Sequence, residues 1–283
     1  MWVGQQLADG LDFWGFLGSL ILGGIILGIY TGLLGYVGAK TGLSLDLLSQ
    51  RAFGEKGSYL PSAMTSFTQI GWFGAGLVIG SFVSGGTATP NFARFAKDGK
   101  AGAITTVVAF FIGNSLMFFF GAVSSIFVGG NDIFEVMVRL NLFYLAVLVL
   151  GLNIWTTNDN ALYTAGLGLA NIFHQRKKPM VLLSGIIGTV ASVWLYYNFC
   201  GWLNILNCTL PPVGMILVLA YFMNKEDFET DQPKLKTVDW FAVAGVILGA
   251  IVANILHWGI ASINGMVVAA VCYCVGQAVN KRK

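Results

Sequence analysis

Long apolar segments separated by short loops set the strongest limit on what this chain can fold into. A helix needs about 20 apolar residues to cross a hydrocarbon core about 30 Å thick, and most of the segments reach that length. Their residues are 13–39, 59–95, 104–128, 143–173, 180–200, 202–222, 240–256 and 259–279. The pattern predicts an all-α fold, namely a polytopic membrane helical bundle.

The composition agrees with a membrane protein and argues against other classes. The chain is 56% hydrophobic and 10% charged, whereas soluble domains are about 25% charged. A membrane β-barrel would instead show alternating segments of about ten residues. Because the basic residues lie in short loops, the net charge of +3 does not indicate a nucleic-acid partner. The expected surroundings are a lipid bilayer.

The loops at the two ends of the segments differ in charge. The loops at one end, called here the basic-loop side, hold fifteen of the sixteen basic residues, and those at the other end hold only Arg139. The positive-inside rule predicts that the basic-loop side is cytoplasmic, with the N-terminus outside and the C-terminus inside. The fifteen are Lys40, Arg51, Lys56, Arg94, Lys97, Lys100, Arg176, Lys177, Lys178, Lys225, Lys234, Lys236, Lys281, Arg282 and Lys283.

One segment breaks the simple alternation of crossings. Basic loops flank residues 59–95 at both ends, so the segment is expected to turn back within the membrane. Six glycines between positions 71 and 86 would allow a tight hairpin or a re-entrant loop. Non-helical backbone at that depth survives only where protein or a water-filled cavity covers it. The segment is therefore one of two predicted places for a site.

The other place is residues 151–163, which read GLNIWTTNDNALY inside an otherwise apolar run. Polar groups in a bilayer need partners, and an ionisable group such as Asp159 costs roughly 2.5–3.5 kcal/mol on insertion scales. A helix with this much polarity is expected to face a cavity, an ion or a ligand. Asp159 itself is interpreted either as a proton relay or, preferably, as an anchor to a neighbouring helix.

Two kinds of chemistry are open to this stretch. Asn153, Thr156 and Thr157 share one helix face, so their oxygen atoms would suit a small cation such as sodium. Alternatively, the threonines bond back to carbonyls of the preceding turn. Asn158 and Asn160 offer amide donors and acceptors, which suit a neutral heterocycle.

The run TQIGWFGAGLVIGSF places Gln69, Trp72, Ser81 and Phe82 close together in sequence. Two aromatic rings with an amide and a hydroxyl would form a slot for a flat molecule with polar edges. The alternative is that these rings only face lipid or other helices. The sequence contains no HExxH, P-loop or GxSxG motif, so we expect neither an enzyme nor a resident cofactor.

Several longer runs resemble the bacterial cytosine permeases of the nucleobase–cation symporter-1 family. The resemblance implies a LeuT-like inverted-repeat fold with substrate and sodium at mid-membrane, in a bacterial cytoplasmic membrane. It covers nearly the whole chain and rests on GYVGAKTGLSLDLLSQRAFGEKGSYLPS (35–62), TQIGWFG (68–74), GNSLMFFFGA (113–122), GLNIWTTNDNALYTAGLG (151–168) and PPVG (211–214).

The family pattern also implies roles for individual residues. Trp72 and Gln69 of the TQIGWFG motif would stack on and hydrogen-bond a nucleobase, and Asn158 would bond the edge of the base. Ser81 and Phe82 would come from the broken sixth helix and close the other face.

The same resemblance implies a sodium site in the eighth helix of the family fold. The carbonyl of Asn153 and the hydroxyls of Thr156 and Thr157 would coordinate the ion. The predicted function is import of cytosine coupled to sodium, or to protons, by alternating access.

The chain departs from the family in length. It starts within what resembles the first helix, and after Gly76 it passes directly to a run that belongs to the sixth helix. We therefore expect a single transporter domain with a shortened first repeat (1–76), a second repeat (77–223) and a C-terminal helix pair (224–283). The alternative function is a non-transporting remnant, or an incomplete chain, that acts at most as a membrane-embedded binding or structural protein.

Overall fold

The computed structural model describes residues 12–79, 86–129, 133–230, 233, 235–256 and 258–280. Within them the regular elements are helical, as predicted. A π-helical segment, Val108–Gly113, joins two of the helices, and a 3-10 turn, Gly86–Ala88, precedes a third. The α-helices are α1 (Phe13–Thr41), α2 (Leu45–Phe53), α3 (Tyr59–Ile79), α4 (Pro90–Ala93), α5 (Gly99–Val107), α6 (Asn114–Val128), α7 (Ile133–Arg139), α8 (Phe143–Phe173), α9 (Lys177–Tyr197), α10 (Phe199–Met223), α11 (Lys225–Glu229), α12 (Trp240–Ile255) and α13 (Ala261–Asn280).

Five helical runs of the described residues are long and apolar enough to cross a membrane: Phe13–Thr41, Gly99–Val128, Lys177–Leu195, Gly201–Met223 and Ala261–Asn280. The prediction of a polytopic helical bundle is confirmed. Helix α8 has the bounds expected from the sequence, and α3 forms the first part of the segment 59–95. The predicted turn of that segment falls largely on residues 80–85, which lie outside the described residues.

The loops hold structure that the apolar pattern did not predict. Helix α2 occupies a loop on the basic-loop side, and Ser44 caps its first turn by accepting a hydrogen bond from the backbone N–H of Leu47 at 3.4 Å. Gly42, with φ of 68°, ends α1 in the left-handed conformation that favours glycine. A core of α1, α2, α10 and α12 side chains, including Leu34, Phe53 and Ile216, covers one face of this loop helix.

Small residues set the distances between the membrane helices. Helices surrounded by lipid lack a hydrophobic driving force towards each other, so close backbone packing contributes most of their association. A Cβ atom on Gly102 of α5 would lie 2.4 Å from the Cβ atom of Ala39 in α1. A Cβ atom on Gly249 of α12 would lie 2.6 Å from the carbonyl oxygen of Gly265 in α13. These contacts leave no room for a larger side chain.

Helix α3 is the central element because it packs against both α8 and α9. At its contact with α9, a Cβ atom on Gly74 would lie 2.5 Å from the carbonyl oxygen of Gly188. At its contact with α8, Ser66 donates a hydrogen bond to the carbonyl oxygen of Ala165 at 3.2 Å. The side chains of α3 that point towards these neighbours are therefore buried, which places Gln69 and Trp72 inside the bundle.

Candidate functional site

The contacts between α3 and α8 fix how the two predicted polar stretches align. Ser66 bonds to Ala165, and a Cβ atom on Gly168 would approach the carbonyl oxygen of Ser62 to 2.8 Å. Residue numbers thus rise along α3 as they fall along α8, as in an antiparallel pair. Trp72 lies two turns beyond Ser66, and Asn158 lies two turns before Ala165. The structure therefore places Trp72 and Asn158 at about the same level of the bundle.

Aromatic rings from α3 and α10 form one wall at this level. The Trp72 ring meets the Trp202 ring edge to face at 5.0 Å between centroids and the Phe199 ring at 5.8 Å. Trp202 packs on the backbone of Gly71, where a Cβ atom would lie 2.4 Å from the indole Cζ2 atom. Gly71 is thus required for the close approach of the two tryptophans. The role of Trp202 was not predicted from the sequence. The glycine beside Trp72 is the one sequence feature that could have indicated a close approach of another ring.

Three polar atoms at or beside this wall lack hydrogen-bond partners among the described residues. They are Oε1 of Gln69, Oδ1 of Asn158 and Nε1 of Trp202, and all three are buried. Gln69 is 1% exposed and Asn158 is 8% exposed. Leaving a buried donor or acceptor unsatisfied costs about 1–3 kcal/mol. We call Gln69, Trp72, Asn158 and Trp202 the central cluster.

The central cluster combines a wall of flat rings with hydrogen-bonding atoms that the described protein does not use. Gln69 and Trp72 lie three residues apart on α3 and so share one helix face. Such a site suits a small planar molecule that stacks on a ring and donates hydrogen bonds from its edge. The structure thus brings together three of the five residues predicted to bind substrate. The other two, Ser81 and Phe82, lie outside the described residues.

The residues predicted to bind sodium precede Asn158 on α8 by at most about one and a half turns. Thr156 is exposed, and its hydroxyl donates to the carbonyl oxygen of Leu152 at 3.0 Å. This is the back-bonded geometry that the sequence left open as an alternative. Thr157 is half-buried, and the side chain of Asn153 is outside the described part of the helix. Sodium coordination by these three residues stays a prediction.

Asp159 and Asn160 follow on α8, and both are exposed. Asp159 forms no hydrogen bond with another described residue, so the expected anchor to a neighbouring helix is not found within the described ranges. The polarity of this stretch is therefore divided: Asn158 points into the bundle, and its two neighbours point away from it.

A second polar cluster, called here the loop-side network, joins α2, α3 and α8 on the basic-loop side. The Nδ2 atom of Asn171 donates to the hydroxyls of Ser58 at 3.0 Å and Ser62 at 2.9 Å. Its Oδ1 atom accepts from Nε2 of Gln50 at 2.6 Å. Ser62 in turn donates to Oδ1 of Asp46 at 2.6 Å. These groups bond to each other and so hold three elements together.

Asp46 is the acidic member of the loop-side network and is 5% exposed. Burial raises the pKa of its carboxyl group to about 6, and the hydrogen bond from Ser62 offsets part of that effect. The network was not predicted as a structural unit, although all its members except Asn171 belong to the run 35–62. Four of the five polar residues lie in or beside a predicted loop.

Comparison with known proteins identifies what the chain is similar to. A sequence model of the family described as "Permease for cytosine/purines, uracil, thiamine, allantoin" matches residues 1–83 and 74–279. The chain is 36% identical to the cytosine permease of Escherichia coli strain K12 over 372 aligned positions, which include 100% of this chain and 88% of that protein. The cytosine permease of Escherichia coli O157:H7 gives the same values.

A solved structure has the same fold. The match is to Mhp1, a nucleobase-cation-symport-1 family transporter, in a closed conformation with bromovinylhydantoin bound. The TM-score is 0.75, with 15% sequence identity, over 97% of this chain and 87% of the Mhp1 chain. The expected LeuT-like inverted-repeat fold is therefore confirmed.

The lengths in these comparisons agree with the predicted shortening. The alignment to the cytosine permease has 372 positions, whereas this chain has 283 residues. The relative therefore has residues at many aligned positions where this chain has none. The two family matches meet at residues 74–83, which includes the point after Gly76 where the sequence predicts missing helices.

Proposed function

The chain belongs to the permease family for cytosine/purines, uracil, thiamine and allantoin, and on this basis we propose that it is a membrane transporter of nucleobases with cytosine as substrate. Membership in a permease family makes it a transporter-family protein rather than a member of an enzyme family. The choice of cytosine is supported by the 36% identity to cytosine permeases along the whole chain.

The observation that carries this proposal is the pairing of Trp72 with Asn158 at one level of the bundle. A nucleobase is flat, so Trp72 stacks on its face, and base–aromatic stacking contributes about 1–3 kcal/mol per base. The unpartnered oxygens of Gln69 and Asn158 accept hydrogen bonds from the ring N–H and amino groups of the base. Ser81 and Phe82 lie outside the described residues, and their role at the opposite face stays a prediction.

Coupling to sodium, or to protons, is part of the same proposal. The carbonyl of Asn153 and the hydroxyls of Thr156 and Thr157 hold the ion in the stretch of α8 that directly precedes Asn158. Because cation and base are bound by the same stretch of α8, each favours binding of the other. Alternating access then moves both across the bilayer down the cation gradient.

Equilibrium binding of labelled cytosine to the purified 283-residue chain, with sodium or with choline as the cation, tests the site. We expect saturable binding that is about tenfold weaker or more in Trp72→Ala and in Asn158→Ala. Trp155→Ala and Asn160→Ala are matched controls, because both residues lie on α8 and are exposed, Trp155 by 67%. Equal binding by all four variants would contradict the proposed site.

Sodium coupling has its own variant. Thr157→Val preserves the shape of the side chain and removes its oxygen. We expect Thr157→Val to bind cytosine equally with sodium and with choline, whereas the unaltered chain binds more tightly with sodium. An unchanged sodium dependence in Thr157→Val would contradict the coordination by Thr157 and leave the cytosine site itself standing.

A second candidate function is binding without transport. It is favoured by the aligned positions at which the relatives have residues and this chain has none, since alternating access requires one bundle to move against another. Uptake of labelled cytosine into proteoliposomes under an inward sodium gradient, and then under a proton gradient, separates the two. Accumulation under either gradient supports transport, and binding without accumulation supports the second candidate.

A further inference from the structure

Two basic side chains converge on one tyrosine at the basic-loop side of the bundle. The Nζ atom of Lys177, the first residue of α9, lies 3.5 Å from the ring centroid of Tyr163. The Nη2 atom of Arg94 donates a hydrogen bond to the hydroxyl of the same tyrosine. Cation–π contact and hydrogen bonding thus hold two positive charges at one ring.

Neither charge forms an ion pair with a described acidic side chain, although Arg94 lies close enough to Asp46 to lower the pKa of that carboxyl group. The ion pairs of the described residues join Arg139 to Glu135 and Lys236 to Asp239, so neither Arg94 nor Lys177 takes part in one. The Nε atom of Arg94 is buried and lacks a hydrogen-bond partner in the described part of the chain. Arg94 as a whole is half-buried, so its side chain is not fully enclosed by the protein.

The start of α9 adds more positive charge. Arg176 and Lys178 flank Lys177, and the first turn contains no acidic residue and no side-chain cap. The N-terminus of a helix already carries a partial positive charge, which disfavours cations and favours anions. The repulsion among these groups decreases when an anion binds between them.

The position of the cluster matches the headgroup level of a membrane. Lys177 begins a helical run that can cross the bilayer. Phe92 and Phe95, on either side of Arg94, are 42% and 74% exposed, and the Arg94 guanidinium lies 4.7 Å from the Phe95 ring centroid. Tyrosine, here Tyr163 between the two basic side chains, is enriched at the membrane–water interface.

An apolar groove begins beside the basic cluster. Phe92 connects the two, because its ring lies 6.0 Å from the Tyr163 ring and it also lines the groove. The groove has a volume of about 290 Å³ and is open on one side. Its walls are formed mainly by small and apolar side chains, including Phe92, Ala93, Ala96, Ala109 and Phe110.

We infer that Arg94 and Lys177, with Arg176 and Lys178, bind the phosphate of an anionic phospholipid such as phosphatidylglycerol, and that the adjoining groove holds part of its acyl chain. Basic pockets between membrane helices on the cytoplasmic side bind such headgroups. The groove distinguishes a lipid from free phosphate, because only a lipid has an apolar part to place there. The site is separate from the central cluster and does not depend on the proposed transport function.

Thermal unfolding of the purified chain in mixed micelles tests this inference. The probes are phosphatidylglycerol, phosphatidylcholine at the same mole fraction and inorganic phosphate. We expect phosphatidylglycerol alone to raise the unfolding temperature. In Arg94→Gln/Lys177→Gln the apparent affinity for phosphatidylglycerol should fall about tenfold or more. The control Lys56→Gln/Lys225→Gln removes the same charge elsewhere. Like the test variant it also removes a lysine that lies over an aromatic ring, since Lys225 lies over the Phe222 ring at 5.6 Å.

Native mass spectrometry of the unaltered chain gives a readout that needs no variant. Retention of phosphatidylglycerol in preference to phosphatidylcholine supports the site even if the double variant fails to fold. Equal retention of the two lipids would overturn the inference, as would an undiminished preference in Arg94→Gln/Lys177→Gln. If inorganic phosphate raised the unfolding temperature as much as phosphatidylglycerol does, the inference of a lipid site would be overturned. The cluster would then be a simple anion site.

Discussion

The same two helices, α3 and α8, build two polar regions of opposite character. In the loop-side network the side chain of Asn171 bonds to Ser58, Ser62 and Gln50, so its amide is fully used. In the central cluster the oxygens of Gln69 and Asn158 are buried and have no described partner. Buried polar groups are normally satisfied by protein atoms or by ordered water. We therefore assign a structural role to the first region, and the unused oxygens support the ligand-binding role proposed for the second.

The largest effect expected from this comparison is on stability, at Asn171. Asn171→Leu keeps the volume and removes three hydrogen bonds, and it leaves buried partners without them. We expect the free energy of unfolding to fall by about 3–4 kcal/mol. Chemical unfolding in detergent measures it, with Asn160→Leu on the exposed face of α8 as the control, expected within about 0.5 kcal/mol of the unaltered chain. If Asn171→Leu were as stable as the unaltered chain, the structural role of the loop-side network would be contradicted.

A pH effect follows from Asp46 in the same network. Burial raises its pKa to about 6, so the folded chain binds the proton more tightly than the unfolded chain does. Stability should therefore decrease as the pH rises from about 4 to about 6, by roughly 3 kcal/mol in total, and stay level above that. Unfolding at a series of pH values measures it.

Asp46→Asn should abolish most of this pH dependence, because the amide does not ionise. Asp227→Asn serves as the control, since Asp227 is exposed on α11 and its substitution should leave the slope unchanged. A slope of the same size in Asp46→Asn would assign the pH dependence to another group.

A smaller loss of stability is expected at the wall of the central cluster. A Cβ atom on Gly71 would lie 2.4 Å from the Trp202 ring, and this rigid ring must move to accommodate it. We expect Gly71→Ala to destabilise the chain by about 2 kcal/mol and to weaken cytosine binding, because Trp72 shifts with Trp202. Gly201→Ala is the control, since nothing lies within 4 Å of its Cβ position. If Gly71→Ala bound cytosine as tightly as the unaltered chain, the aromatic wall would have no part in binding.

The two regions also differ in how far the sequence predicts them. Gln69, Trp72 and Asn158 could be predicted as site residues because polar residues within long apolar segments require a bonding partner. The TQIGWFG and TTNDN motifs also resemble those of a known family. The loop-side network could not, since Asp46, Gln50 and Ser58 lie where polar residues normally face water. Their burial depends on α2 packing against α3 and α8, which no local pattern in the sequence specifies.

The fold shows the same division. Long apolar runs predict helices such as α8 to the residue, because the bilayer requires their length and their composition. The junction of α9 and α10 lies at Asn198, a few residues before the position predicted from Gly201. Trp202 therefore lies one turn into α10 rather than at its first residue. Contacts between helices, such as that of Trp202 with Gly71, become visible only in three dimensions.

Gln69→Leu should have the smallest effect on stability. It is also the most direct test of the ligand-binding role of the central cluster. We would measure the unfolding temperature of this variant and of the unaltered chain with and without saturating cytosine. The variant alone should be as stable as the unaltered chain or more stable, within about 1 kcal/mol, because an unsatisfied acceptor is removed. Cytosine should raise the unfolding temperature of the unaltered chain only. If Gln69→Leu is strongly destabilised and cytosine stabilises both chains equally, Gln69 supports the fold and the ligand binds elsewhere.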